Sequence, residues 1–377
     1  MDLDLSQEHE LLRNTVREFA TERVAPVADE LDRESRFPYE LVAEMAELGL
    51  MGIPIPEDYG GAGSDTLAYA IAIEELTRID SSVAITVAAH TSLGTMPIFL
   101  YGTDEQKSEW LPQLASGQKL AAFGLTEADA GSDAGATRTR AEQRNGQWIV
   151  NGSKIFITNA GTDISACVTI TALTAEGEVS NVIVPNGTPG YTISPPMHKL
   201  GWHASDTREL SFKDVAVPER NLLGERGRGF VQFLEILDGG RISVAAMGVG
   251  LAQGAYDLAF AYARERRQFG KPISSFQAVQ FKLADMATEI EAGRALVYRA
   301  AWLKDQGRPF ALAAAQAKLY TGELSNRVVN ASLQMHGGYG FMEESPIARL
   351  YRDQKVLEIG EGTNEVQRMV IAKHLGL

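Results

Sequence analysis

One carboxylate near the C-terminus, Glu361, stands between Gly360 and Gly362. Glycine lacks a Cβ atom, so both neighbours of this carboxylate leave room for a ligand to approach the backbone closely. Val366 and Val370, four residues apart, predict a helix that begins just after Glu361. A carboxylate placed in this way is suited to remove a proton from a bound substrate. The alternative is an ordinary helix start, where the carboxylate complements the helix macrodipole.

A second segment with chemical potential covers residues 123–133 and reads Phe-Gly-Leu-Thr-Glu-Ala-Asp-Ala-Gly-Ser-Asp. Its small residues leave backbone N–H groups accessible to a ligand. The hydroxyls of Thr126 and Ser132 can each donate and accept a hydrogen bond. The segment is therefore either a ligand-binding loop or a capped connector between two elements.

Two further segments allow a functional and a structural interpretation. The Gly337–Gly338 step, inside the stretch 334–341, permits close approach of a ligand or simply separates two helices. Asp238 and Arg241 are three residues apart and so share one helix face, where they form an ion pair or contact a polar ligand.

Composition and charge exclude several classes of protein. The chain has 377 residues, and its 49 acidic against 35 basic residues give a net charge of −14, which argues against nucleic acid or an anionic membrane as partner. A single cysteine, Cys167, rules out an intramolecular disulfide, and the N-terminus lacks the pattern of a signal peptide, so we expect a cytoplasmic protein. The apolar stretch 81–100 contains His90 and many hydroxyl residues, which favours a buried helix over a membrane span. No spacing of ligands predicts a metal site.

The elements that must position these residues divide the chain into three blocks and predict an α+β protein of the α–β–α type. Residues 1–119 show helical periodicity, residues 120–228 contain short β-rich runs that predict an antiparallel β domain, and residues 229–377 predict a helical bundle with four long segments. Asn145-Gly146 and Asn151-Gly152 are hairpin signals. The glycines at 248–254 imitate a dinucleotide loop, but they lie inside a helical run and predict close helix packing.

Together these motifs resemble those of the acyl-CoA dehydrogenase family over essentially the whole chain. The resemblance rests on residues 124–133, on 334–340 followed by Glu344, Arg349 and Asp353, on 266–272 with Gln277, and on 361–363. It implies a helical domain, a β domain and a four-helix bundle. It also implies FAD bound without a Rossmann loop, and a homotetramer, a dimer of dimers, whose flavin sites are completed by a neighbouring subunit.

The resemblance implies an FAD-dependent acyl-CoA dehydrogenase of fatty-acid β-oxidation, in which an acyl-CoA becomes a trans-2-enoyl-CoA and electrons pass to an electron-transfer flavoprotein. Glu361 would take the α-proton while the β-hydrogen leaves as hydride to flavin N5. FAD contacts are implied for Phe123, Leu125, Thr126, Gly131, Ser132, Phe156, Ile157, Thr158, Arg266, Phe269, Gln277, Gln334, Gly337, Gly338, Thr363 and Glu365. Substrate contacts are implied for Ser132, Asp238, Arg241, Gly360 and Gly362.

Two departures from the family pattern bear on the substrate. Many short- and medium-chain members have Tyr where this chain has Gly360, and the isovaleryl and long-chain subfamilies carry their base at the position of Gly240. The base is therefore expected at Glu361, as in short- and medium-chain enzymes, while the acyl group stays open. An acyl-CoA oxidase, an enoyl-CoA reductase on the same fold and a non-enzymatic helical binding scaffold remain alternatives.

Overall fold

The computed structural model describes residues 4–377 and begins with a helical domain. Its α-helices are α1 (Gln7–Phe19), α2 (Ala28–Glu34), α3 (Tyr39–Glu47), α4 (Thr66–Ile79), α5 (Ser81–Ala88), α6 (Met96–Tyr101) and α7 (Asp104–Ala115). Side-chain caps define four of the starts, among them those of α4 and α7. Asp65 accepts from the N–H of Ala68 at the start of α4, and Thr103 and Gln106 form a capping box at the start of α7. The helical periodicity of residues 1–119 thus predicts this domain correctly.

The apolar segment from α5 to α6 runs through a π-helical turn, Ala89–Thr95, and is buried in the domain core. Ser81–Tyr101 and Gly229–Glu265 are long and apolar enough to cross a membrane by length and composition alone, but 83% and 67% of their apolar windows are buried inside the fold. The core helix of a folded domain passes the same test. The prediction that residues 81–100 form a buried helix is confirmed.

The middle domain is a mixed β-sheet. Its strands are β1 (Leu120–Gly124), β2 (Arg140–Arg144), β3 (Gln147–Thr158), β4 (Ser165–Ala175), β5 (Glu178–Pro185), β6 (Tyr191–Ile193), β7 (Thr207–Pro218) and β8 (Leu222–Leu223). They follow the order β6-β7-β3-β2-β4-β5-β8, with β1 beside β4. Most neighbours are antiparallel, as predicted, but β1 and β4 are parallel, and so is the single β2–β4 pairing. The β2–β3 hairpin serves as the crossover that a parallel pair requires.

Only one of the two predicted hairpin turns exists. Asn145 and Gly146, both with positive φ, join β2 to β3. The prediction for Asn151-Gly152 is wrong, because both residues lie inside β3 at a register shift. A Cβ atom on Gly152 would lie 2.7 Å from the Cα atom of Thr139, so the glycine allows close backbone approach at a bulge.

The C-terminal domain is a helical bundle. It comprises α8 (Gly229–Glu265), a short hairpin of β9 (Arg267–Gln268) and β10 (Lys271–Pro272), α9 (Gln277–Asp305), α10 (Ala311–His336), α11 (Pro346–Asp353) and α12 (Asn364–His374). Helices α8, α9 and α10 are long, and α12 packs on α10 as a shorter fourth helix. The predicted α–β–α order is confirmed.

Glycines on α8 bring this helix against two others. A Cβ atom on Gly250 or Gly254 would lie 2.2 Å or 2.1 Å from a carbonyl oxygen of α4, and one on Gly248 would lie 2.8 Å from Thr321 on α10. Real side chains do not tolerate such distances, so only glycine permits this packing. The glycine run at 248–254 therefore serves helix packing, as predicted.

A buried carboxylate, Asp353, ties the three domains together. One of its oxygens accepts from the N–H of Trp202 in the β domain at 2.7 Å, and the other accepts from the hydroxyl of Ser81 on α5 at 2.6 Å. His203 lies 3.1 Å from Asp32 on α2. This junction fixes the end of α11, from which a 3-10 turn, Gln354–Glu358, leads directly to Glu361.

Candidate active site

Glu361 occupies a strained turn between that 3-10 turn and α12. Its φ is +52° and that of Gly362 is +91°, both in the left-handed region. Thr363 caps α12 by accepting from the N–H of Val366, so Glu361 lies two residues before the helix cap. A Cβ atom on Gly360 would meet nothing closer than 3.4 Å, which means that the glycine leaves space rather than avoiding a clash. The predicted position before a helix is confirmed.

The carboxylate of Glu361 points at α8. Its Oε2 atom is buried and has no hydrogen-bond partner in residues 4–377. A Cβ atom on Gly240 would lie 2.2 Å from Oε2 and 3.3 Å from Leu93. The carboxylate of Glu361 therefore fills the space beside Gly240, and only glycine at 240 leaves room for it.

Burial and two cations set the acidity of this carboxylate. Burial raises the pKa of Glu361 to about 7, although the positive charges of Arg241 and Lys318 oppose the rise. The group is therefore largely protonated below pH 7 and ionised above it. A base titrating this close to neutral pH suits proton abstraction from carbon.

Arg241 and Asp238 form the ion pair that their spacing allows. The Arg241 side chain is almost completely buried, and its Nε atom has no partner among the described residues. Burial raises the pKa of Asp238, while Arg241 opposes that change. The pair lies on α8 next to Gly240, so Arg241 acts on the Glu361 carboxylate electrostatically, while its contact with CoA stays a prediction.

The loop 124–139 is anchored by a buried lysine of β3. Lys154, which is fully buried, donates to the carbonyl of Leu125 at 2.9 Å and to the carboxylate of Glu127 at 2.8 Å. The carbonyl of Thr126 accepts from the N–H of Ile155 at 2.8 Å. Phe123 lies at the base of the loop, stacked on Phe233 of α8 with ring centroids 4.3 Å apart. Gly131 and Ser132 are exposed further along.

The end of β3 presents one exposed aromatic ring, that of Phe156, beside this loop. Phe156 has a φ of +63° and its side chain is 61% exposed, whereas Ile157 is buried and Thr158 half-buried. Holding a phenylalanine in the left-handed region costs free energy, and such strain is typical of functional sites. An exposed aromatic ring can stack on a flat ligand, and the flavin contact implied for Phe156 stays a prediction.

Six of the predicted flavin residues form a separate, exposed cluster at the C-terminal end of α10, whereas Thr363 and Glu365 lie at the start of α12 beside Glu361. Arg266 lies over the ring of Tyr339 at 5.5 Å, and Phe269 is 92% exposed. The other members are Gln277, Gln334, Gly337 and Gly338, all exposed. Lys318, beside the Glu361 turn, and Gln334 are separated by 16 residues of α10, or about 24 Å at the rise of an α-helix. One chain therefore does not bring this cluster to its own Glu361.

Family models cover nearly all of this architecture. The N-terminal domain model of acyl-CoA dehydrogenases matches residues 6–118, the middle domain model matches 122–215, and the C-terminal domain model matches 227–376.

The chain belongs to the acyl-CoA dehydrogenase family.

Full-length relatives agree with this assignment. The chain is 50% identical to the probable acyl-CoA dehydrogenase YngJ of Bacillus subtilis, with 100% of both chains covered. It is 45% identical to an acryloyl-CoA reductase (NADH) of Anaerotignum propionicum, covering 100% of this chain and 96% of that one. The butyryl-CoA dehydrogenase structure from Megasphaera elsdenii superimposes with a TM-score of 0.97 at 43% identity, with 100% of both chains covered.

Sequence reasoning did not find every residue that shapes the site of this acyl-CoA dehydrogenase family member. Lys318 and Gln367 both hold the Glu361 turn, and Lys154 anchors the loop 124–139. The only signal for Lys318 was a single charge in an alanine-rich helical run. Trp202 and His203, in a loop of the β domain, contact α11 and α2 rather than Glu361.

Proposed function

We propose that the protein is an FAD-dependent acyl-CoA dehydrogenase that converts an acyl-CoA thioester into a trans-2-enoyl-CoA. The observation that carries the proposal is the Glu361 carboxylate, buried against Gly240 without a hydrogen-bond partner and with a pKa of about 7. A carboxylate kept free of partners and titrating near neutrality is ready to accept a proton. A binding scaffold has no need of such a group.

The reaction begins with removal of a proton from the α-carbon of the thioester. Glu361 accepts this proton at its carboxylate. Its own backbone N–H donates no hydrogen bond to any described residue and is free to donate to the thioester oxygen, where negative charge develops. Bound FAD supplies the acceptor for the β-hydrogen, which leaves as hydride. Gly360 and Gly362 keep side chains away from the reacting carbons.

The loop 124–139 and the end of β3 would hold the flavin ring. Thr126 and Leu125 lie in a segment fixed by Lys154, and Phe156 offers an exposed ring for stacking. Thr363 and Glu365 at the start of α12 lie beside the base and complete the flavin side of the pocket. Ser132, Asp238 and Arg241 are assigned to the CoA side.

A second copy of the chain would supply the other flavin contacts. Arg266, Phe269 and Gln334 belong to an exposed aromatic surface at the C-terminal end of α10, away from Glu361. Such a surface is typical of a subunit interface. We therefore propose a homotetramer, built as a dimer of dimers, in which each flavin site is shared by two chains. An electron-transfer flavoprotein is the proposed electron acceptor, and fatty-acid β-oxidation in the cytoplasm the proposed setting.

The reverse reaction is the second candidate, because one full-length relative is named acryloyl-CoA reductase (NADH). The same base and flavin serve both directions. Anaerobic bleaching of the flavin band by a panel of acyl-CoAs, from butyryl-CoA to branched, aromatic and dicarboxylic thioesters, tests the dehydrogenase. If only NADH bleaches the flavin and an enoyl-CoA reoxidises it, the protein is the reductase. Stoichiometric formation of hydrogen peroxide in air would instead indicate an oxidase. A colourless protein that takes up no FAD would overturn the proposal.

A further inference from the structure

A buried lysine contacts the backbone of the Glu361 turn. Lys318, in the N-terminal third of α10, has no exposed surface. Its ammonium donates to the carbonyl of Gly362 at 2.8 Å and lies 3.5 Å from the side-chain oxygen of Asn364. No carboxylate within residues 4–377 lies within 4.0 Å of it. An ammonium without a carboxylate partner is costly to bury, so its place calls for a reason other than packing.

The carbonyl that Lys318 holds belongs to the residue directly after the base. Gln367, also fully buried, donates to the same carbonyl at 2.9 Å and to the carbonyl of Glu361 at 3.3 Å. The turn needs such support because Glu361 has a left-handed backbone, which a residue with a side chain disfavours. Two donors, one charged and one neutral, thus clamp the turn.

The charges facing Glu361 differ in how far they are already compensated. Arg241, on α8, is paired with Asp238 on the same helix. Tyr69, on α4, keeps its proton because burial raises its pKa. Among the carboxylates, Glu361 has the strongest electrostatic interaction with Lys318 on α10, ahead of Glu358 and Glu365. Lys318 is therefore the cation facing the base that has no ion-pair partner of its own.

We propose that Lys318 is a positioning residue for the catalytic base: its ammonium holds the Gly362 carbonyl and keeps the Glu361 carboxylate charged near neutral pH. This inference rests on the proposed function, since it assigns Lys318 a role through Glu361. Burial lowers the pKa of Lys318 to about 8, so the ammonium still carries its charge at the pH where Glu361 titrates. Removing that charge disfavours the carboxylate and moves its titration to higher pH.

The test compares Lys318→Met with Gln367→Leu, a matched variant that removes a neutral donor from the same carbonyl. The rate of anaerobic flavin bleaching by the fastest acyl-CoA of the panel is measured from pH 5.5 to pH 9 on FAD-loaded protein. Lys318→Met should raise the midpoint of the pH–rate profile by about one pH unit. This shift corresponds to about a tenfold lower rate at acidic pH. Gln367→Leu should lower the rate at every pH and leave the midpoint unchanged.

A second readout follows the base without turnover. Infrared difference spectra report the protonated carboxyl band of Glu361, identified by its loss in Glu361→Gln, and this band should persist to higher pH in Lys318→Met. Lys318→Arg keeps the positive charge and should therefore keep the midpoint of the wild-type pH–rate profile. If Lys318→Met does not fold, Lys318→Gln removes the charge with a smaller change and should show the same shift.

Two outcomes separate the inference from the proposed function. A midpoint in Lys318→Met or Lys318→Gln equal to that of the wild type would overturn the inference, even if the variant is slow or melts earlier. A wild-type protein that no acyl-CoA bleaches would instead overturn the proposed function.

Discussion

At the scale of single residues, the proposed chemistry depends on one carboxylate. Glu361→Gln keeps the shape of the side chain but removes the group that accepts the proton. We expect the variant to fold, to bind FAD and to stay yellow, while its bleaching by acyl-CoA slows by about 100- to 10,000-fold. Flavin absorbance and stopped-flow bleaching measure the two properties. A rate near that of the wild type would mean that the base is another residue.

The glycine opposite the base is the second residue-scale prediction. Gly240→Ala places a Cβ atom where Oε2 of Glu361 now lies, since the ideal position is only 2.2 Å away. The carboxylate must move, and a displacement of about 1 Å costs about 100-fold in rate. Gly239→Ala is the matched control, because its nearest neighbour is the flexible end of Lys304 at 3.3 Å. Equal rates for both variants would show that Glu361 tolerates the displacement.

Residues such as Glu361 and Lys318 show what a sequence reveals about this site. Glu361 was identifiable because glycines flank it and a helix follows, and both features are local. Lys318 acts on the same turn from 43 residues away in the chain, across the contact between α10 and the Glu361 turn. Apart from the alanine-rich run that precedes it, nothing in its own neighbourhood distinguishes it from an exposed helical lysine. Contacts of this kind come from tertiary packing, which local patterns do not encode.

At the scale of elements, the loop 124–139 depends on a buried ion pair. Lys154 donates to Glu127, to Thr137 at 3.1 Å and to Thr171 at 3.0 Å. Burial alone would raise the pKa of Glu127, but Lys154 and the hydrogen bonds around the carboxylate hold it well below its usual range. The stability that this carboxylate contributes is therefore present above about pH 4.3 and is lost as the pH falls further.

Lys154→Met should leave Glu127 buried without its cation. We expect the free energy of unfolding to fall by about 3–5 kcal/mol, as for other broken buried pairs. The double variant Lys154→Met with Glu127→Gln removes the uncompensated charge and should recover part of the loss. Urea denaturation of the three proteins measures both effects. If the double variant is instead less stable than Lys154→Met, the two residues contribute to stability independently.

The same domain shows which elements a sequence can define. The strands and the Asn145-Gly146 hairpin follow from local alternation and turn residues. Asn151-Gly152 carries the same dipeptide signal, yet Gly152 serves the approach of Thr139 within β3. The parallel pairing of β1 with β4 joins segments about 40 residues apart along the chain. Their pairing depends on how the β2–β3 hairpin folds between them.

At the scale of the whole molecule, the exposed aromatic residues near the end of α10 call for a partner. Phe269 is 92% exposed, Phe341 79% and Tyr339 64%, on the β9–β10 hairpin and on the turn that follows α10. Exposed apolar surface of this extent is typical of an interface. If the flavin sites of a homotetramer are shared between chains, a substitution that weakens the assembly must also weaken the binding of FAD.

Phe341→Asp tests this coupling, because a charge desolvated in an apolar interface is costly. We expect the variant to elute as a smaller species in size-exclusion chromatography with light scattering, and to lose FAD on dilution at least tenfold more readily than the wild type. Leu11→Asp is the control, since Leu11 is 68% exposed on α1, far from this surface in the chain, and its replacement should change neither property. A dissociated Phe341→Asp protein with wild-type FAD affinity would show that the flavin site is complete within one chain. An intact assembly would place the subunit contact elsewhere. The expected result, joint loss of assembly and FAD, would explain why Gln334, and Arg266 next to the turn that follows α10, lie so far from Glu361 in a single chain.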